Sequence, residues 1–177
     1  MEELQELVNA IKCLNTAGEV IARIIERPAE RGHTGEYIAS RVFDIQLHPS
    51  AVQKDSDGFF TTGPLAGREV NIKWYAHCAW ILDLKADAPS GLFYLILTGP
   101  VGTTGSSKGK LNPWLITRVY LFDGDALVST LRSTGVKIGV ASSVRQQLWH
   151  AAEVYPDSNC NLLTLTRQQK DLLALFS

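Results

Sequence analysis

Asp57, Asn71 and Lys73 are the residues of this chain whose types and spacing could do chemistry. Asp57-Gly58-Phe59-Phe60 and Arg68-Glu69-Val70-Asn71-Ile72-Lys73-Trp74 flank a turn-rich segment holding Gly63, Pro64 and Gly67, the pattern of a β-hairpin with a long loop. Side chains alternate across a strand, so Glu69, Asn71 and Lys73 share one face while Val70, Ile72 and Trp74 share the other. An ammonium and an amide then stand together on one strand, beside a partner strand that starts with a carboxylate. Such a group could hold a divalent cation and a phosphate.

The order of an acid, a hairpin and an x-x-Lys strand resembles the PD-(D/E)xK nuclease family, whose fold is restriction-endonuclease-like, across roughly residues 34–122. The resemblance implies that Asp57 matches the family's first acid, Asn71 the second, Lys73 the lysine, and Glu36 the helical Glu that many members carry. It further implies Mg²⁺ or Mn²⁺ held by Asp57, Glu36 and the Ile72 carbonyl, with Lys73 orienting a water or stabilising charge on the attacked phosphate. DNA is the partner it implies, with Arg68, Lys108 and Lys110 on the backbone. The chain departs from the pattern at Asn71, where the family has Glu or Asp and less often Gln. An amide offers a metal its carbonyl oxygen but no charge. The competing reading is therefore a nuclease-like module without activity that binds nucleic acid or a protein partner. A small-molecule enzyme using Asp57 and a histidine is a third reading, and no Ser/His/Asp or phosphate motif supports it. Each residue also has a plainer explanation: Lys73 on an exposed sheet face, Asp57-Gly58 as a turn, Glu36 as a helix-capping charge.

The elements that must position these groups follow from periodicity. Leu4, Leu7, Val8, Ile11 and Leu14, then Ile21, Ile24 and Ile25 beyond Gly18, predict one broken helix or two, ended by Pro28 and packed on a sheet; a homodimer through this helix is the second reading. Thr34 is placed to cap a short helix from about Gly35 to Val42, with Glu36 in its first turn, where a carboxylate meets the positive end of the helix dipole. Phe43 to Leu47 alternates as a strand, Ala76 to Leu84 fits helix or strand equally, and Leu92 to Thr98 is a continuous apolar run expected at the sheet centre. The segment from Gly102 to Lys110 is glycine-rich, but Leu111 follows Gly109-Lys110 and Asn112-Pro113 blocks a helix, so it is not a P-loop. Its Lys108 and Lys110 could still touch a nucleic-acid backbone. Leu115 to Phe122 reads as a strand, Asp123 as the cap of a helix to about Ser133 closed by Gly135, and Lys137 to Val140 as a short strand. Ser143 to Gln146 and Thr166 to Gln169 are capping-box patterns, opening helices to about Ala152 and Phe176.

The sum is an α/β fold, with a mixed central sheet of about five strands flanked by helices around a restriction-endonuclease-like core. The expected organisation is one domain over 1–177, with an N-terminal helical segment to 33, a core over 34–122 and a C-terminal helical part from 123. A chain of 177 residues fits one domain. The net charge of −1 denies it a global attraction for nucleic acid, so DNA binding would need a local basic patch. No stretch is long enough to span a membrane, and Met1-Glu2-Glu3-Leu4 lacks the basic start of a signal peptide, which predicts a cytoplasmic protein. Cys13, Cys78 and Cys160 are odd in number and far apart, so they are expected as reduced core thiols rather than a disulfide framework or zinc site. His77 and Cys78 would face opposite ways on a strand, against a catalytic dyad.

Overall fold

The computed structural model of the chain describes residues 2–49, 55–102 and 112–177. In chain order it contains helices α1 (Glu2–Ile25) and α2 (Arg31–Val42), strands β1 (Ile45–Leu47), β2 (Gly58–Phe60), β3 (Glu69–Tyr75), β4 (Ile81–Leu82), β5 (Phe93–Thr98) and β6 (Arg118–Asp123), helix α3 (Gly124–Ser133), strand β7 (Ser142–Ser143), helix α4 (Gln146–Ala152), strand β8 (Glu153–Tyr155) and helix α5 (Arg167–Ala174). A single 3₁₀ turn, Gly63–Leu65, joins β2 to β3. Six strands form one sheet in the order β1-β2-β3-β5-β6-β8, and β4 and β7 form a separate ribbon. Neighbours are antiparallel except β3 and β5, which run parallel in register from Val70↔Phe93 to Tyr75↔Thr98.

The apolar run expected at the centre is β5, buried at all six positions because both faces of the sheet are covered. On one face Ile38, Ala39 and Val42 of α2 and Leu173 of α5 pack against Val70, Ile72, Leu95, Leu97, Val119 and Leu121. On the other, Leu127 and Leu131 of α3 and Trp149 of α4 pack against Tyr94, Ile96, Tyr120 and Phe122. Trp149 meets the rings of Tyr120 and Phe122 edge-on, at 4.7 and 5.2 Å between centroids. Burying each such side chain stabilises the fold by about 1.5–3 kcal/mol.

The expected hairpin is present. β2 pairs antiparallel with β3, Gly58 opposite Val70 and Phe59 opposite Glu69. Along β3 every even position is buried and every odd one half-buried, so Val70, Ile72 and Trp74 face α2 and Asn71 and Lys73 face away from it. Gly58 is required by the packing of the β1 edge, since a Cβ there would lie 2.4 Å from the Gln46 carbonyl oxygen.

Several local expectations are corrected. α1 runs unbroken through Gly18 and is largely exposed, with Ile25 its one buried residue, so it is not a helix packed along a sheet. α2 starts four residues earlier than expected, with Glu30 as its N-cap, and Thr34 lies buried inside it rather than capping it. Residues 76–84 resolve as loop and the two-residue strand β4, whose partner is β7. That partner lies at 142–143 and not at 137–140, because Ser142 Oγ both donates to and accepts from the Gly139 backbone and closes the intervening turn. With Ser143 in that ribbon, α4 begins after Arg145 without a side-chain cap. By contrast Asp123 accepts from the Ala126 N–H at 3.0 Å, and Thr166 and Gln169 complete a capping box. The sheet has six strands because β8, which no periodicity announced, pairs with β6. Cys78 and Cys160 are buried and Cys13 is exposed. His77 and Cys78 lie outside the named strands. Among the described residues no helix is long and apolar enough to cross a membrane.

Candidate functional site

The pairing of β2 with β3 brings Asp57, just before β2, alongside Val70 and Ile72. The Asp57 N–H donates to the Val70 carbonyl at 2.9 Å, and its Oδ2 accepts from the Ile72 N–H at 2.6 Å. The carboxylate is thereby laid across β3 between Asn71 and Lys73. Burial pushes its pKa above the usual value and the charge of Glu36 adds to this, while the Ile72 N–H, Lys73 and Arg27 pull the other way. Glu36, Lys73, Arg27 and Asp57 therefore share one electrostatic neighbourhood, although Glu36 comes from a helix on one side of the sheet and Lys73 from the strand.

Glu36 sits in the second turn of α2, so the helix dipole does not explain it. Its Oε2 is paired with Arg27 Nη1 at 2.6 Å, with 17% of the Glu36 side chain exposed. Sequence reasoning missed Arg27, which stands just before Pro28 and carries no periodic signal. Asn71 donates through Nδ2 to the Asp55 carbonyl at 3.3 Å, and its buried Oδ1 has no hydrogen-bond partner among the described residues. Across the parallel pairing Asn71 adjoins Tyr94, whose hydroxyl is also buried. Asp55 forms an ion pair with Lys85, a second pair of charges beside the site that no local pattern announced.

Glu69 cannot stand in for the acid missing at position 71. Its carboxylate accepts from His48 Nε2 at 2.9 Å and from Ser56 Oγ. Partial burial opposes ionisation of Glu69, but the bonds from Ser56 and His48 outweigh it and lower the pKa. Ser56 also reaches His48 through Nε2, the nitrogen bound to Glu69, so the trio lacks the two-sided imidazole of a serine-histidine-acid relay.

Arg68, three residues before Asn71 and so about 10 Å along the strand, is of opposite parity to Asn71 and Lys73. Its guanidinium lies 5.2 Å from the Phe93 ring centroid and borders an open cleft with Ser56, Glu69, Ser90 and Gly91. Lys108 and Lys110 lie outside the described residues. Ile72 contributes its N–H to Asp57 while its side chain is buried on the α2 face. Among the described residues no group of three or more His, Cys, Asp or Glu is arranged to hold a metal ion.

Fold and site together define an α/β protein on a mixed six-stranded sheet, with a carboxylate, an amide and an ammonium gathered on one hairpin. No protein-family model matches the chain, and comparison with curated proteins gives no match.

Proposed function

We propose that the chain is a metal-dependent phosphodiesterase of the restriction-endonuclease-like type, cleaving DNA in the cytoplasm through Asp57, Lys73, Asn71 and Glu36. The observation that carries this reading is the Asp57 carboxylate fixed on the Ile72 N–H between Asn71 and Lys73, within electrostatic reach of Glu36. The order of a helix, an antiparallel hairpin and a strand parallel to β3 supports it as well. Asp57, Glu36 and the Ile72 carbonyl, the set that the resemblance implies, are oxygen donors of the kind that Mg²⁺ and Mn²⁺ take, and Asn71 Oδ1, without a partner among the described residues, would accept from a water on the ion. Such an ion, when bound, would polarise a phosphate and lower the pKa of its water.

The chain's own groups have separate tasks. Lys73 offsets negative charge on the phosphate and orients the attacking water. Asn71 holds a water or the ion through Oδ1, its amide orientation set by the Asp55 carbonyl. Arg27 neutralises Glu36, and that pairing is the observation favouring the second reading, a nuclease-like module that binds without cutting.

Plasmid nicking in Mg²⁺ and in Mn²⁺ separates the two readings. Wild type should cut slowly, faster in Mn²⁺, because a site one carboxylate short favours the ion that binds nitrogen and oxygen ligands more tightly. Asp57→Ala and Lys73→Ala should each abolish cutting. Inert wild type with an active Asn71→Glu variant would identify the binding module, and cleavage undiminished in both alanine variants would remove this hairpin from the chemistry.

A further inference from the structure

Helix α1 is 24 residues long, yet Ile25 is its one buried residue, and Gly18, Ile21 and Ala22 are half-buried where it joins the body. Beyond that junction Leu4, Leu7, Val8, Ile11 and Leu14 are 66, 53, 42, 47 and 70% exposed. Leu4, Leu7, Ile11, Leu14, Gly18, Ile21 and Ile25 follow one another at alternating steps of three and four residues, the seam that one helix offers another. We propose that the exposed part of this stripe, Leu4 to Leu14, is covered by α1 of a second copy of the chain, packed antiparallel, making the protein a homodimer.

Three observations select that occupant. Leu4, Leu7, Ile11 and Leu14 of the seam, with Val8 beside it, expose on the order of 500 Å² per copy, so a symmetric pair has up to ~1,000 Å² of apolar surface to bury before its small residues are counted, the scale of a specific interface. Beside the seam stand Ala10, Ala17 and Ala22, which let two helix backbones approach closely. The polar side carries Glu2, Glu6 and Glu19 against Lys12 and Arg23, a balance that repels anionic lipid and nucleic acid alike. The junction with the body also sets the direction. Parallel copies would bring both bodies, each joined to α1 from Gly18 to Ile25, to the same end of the pair, whereas antiparallel copies place them at opposite ends.

The test is light scattering on the full chain at tens of micromolar. Wild type should give twice the 19.5 kDa chain mass. The double variant Leu7→Asp/Leu14→Asp should raise the dissociation constant by at least about 100-fold while leaving the near-ultraviolet circular dichroism unchanged, both positions being exposed in the single chain. Val20→Asp, at an exposed position off the seam, should leave the dimer intact. A monomeric wild type overturns the proposal and leaves the stripe to another partner. A dimer that survives the double variant places the interface elsewhere.

Discussion

Asp57 is held on β3 at the expense of its charge: burial favours the protonated acid, and the Ile72 N–H, Lys73 and Arg27 compensate only in part. A carboxyl whose folded-state pKa is raised binds its proton more tightly when folded, so stability falls as pH climbs from the ordinary carboxylate value through the raised one. Asp57→Asn keeps an oxygen for the Ile72 N–H and removes the charge. It should raise the melting temperature by about 2–4 °C at pH 7 and change it little at pH 3; an equal gain at both pH values would show that burial of the charge is not the cause. Arg27→Gln tests the neighbouring pair. Because 39% of the Arg27 side chain is exposed, losing the ion pair should cost only about 0.5–1 kcal/mol in metal-free thermal melts. The same change frees Glu36, so the stabilisation produced by added Mn²⁺ should grow. A shift smaller than that of wild type would take Glu36 out of the metal site.

At the scale of elements, the hairpin is held from its edge. β1 approaches so closely that a side chain at position 58 would collide with the Gln46 backbone and with Ile45 Cγ2 at 3.0 Å. Gly58→Ala should therefore destabilise the protein by about 2–4 kcal/mol in urea unfolding, and should impair the site beside it as well. A substitution tolerated within 0.5 kcal/mol would mean that the edge strand relaxes freely. α5 is pinned by its capping box and by Gln169 Nε2, which donates to the Val42 carbonyl of α2 at 2.8 Å. Thr166→Ala should cost about 1 kcal/mol, the usual value of such a cap, again read from denaturant midpoints.

Over the whole molecule the sheet is closed at its far edge by a buried charge. The Glu153 side chain is 3% exposed and its Oε1 meets Arg118 Nη1 at 2.6 Å, across the pairing of β6 with β8. Burial raises the Glu153 pKa and Arg118 draws it back. Arg118→Met would leave that carboxylate without its cation, costing about 2–3 kcal/mol at pH 8, less than the usual cost of breaking a fully buried pair because 35% of Arg118 is exposed. At pH 5 the unpaired acid takes up a proton more readily and the loss should shrink. Unfolding curves of equal displacement at the two pH values would contradict this account. Helix α1 stands outside this closed body, which is why the state of assembly is a property of the whole chain and not of its core.

Much of this arrangement was legible in the sequence. Alternation in β3 assigned Val70, Ile72 and Trp74 to the core, because a strand has only two faces and water sorts side chains between them. The unbroken apolar run of β5 announced a central strand, and Asp123 and Thr166 marked helix starts through bonds made within four residues. What failed were signals that depend on distant partners. Ser143 had the spacing of a cap but pairs with Ile81 instead, and Glu36 had the look of a capping charge but meets Arg27, which the turn at Pro28 folds back onto it. The sequence alone determined the inward residues of β3 and β5 and the starts of α3 and α5, since those depend on local geometry and hydrophobicity. Only the tertiary structure decided that Asp57 would rest between Asn71 and Lys73, that Glu69 would be engaged by Ser56 and His48, and that α1 would project. Each of these depends on which surfaces meet, and strand register and helix docking bring together residues that no spacing along the chain connects.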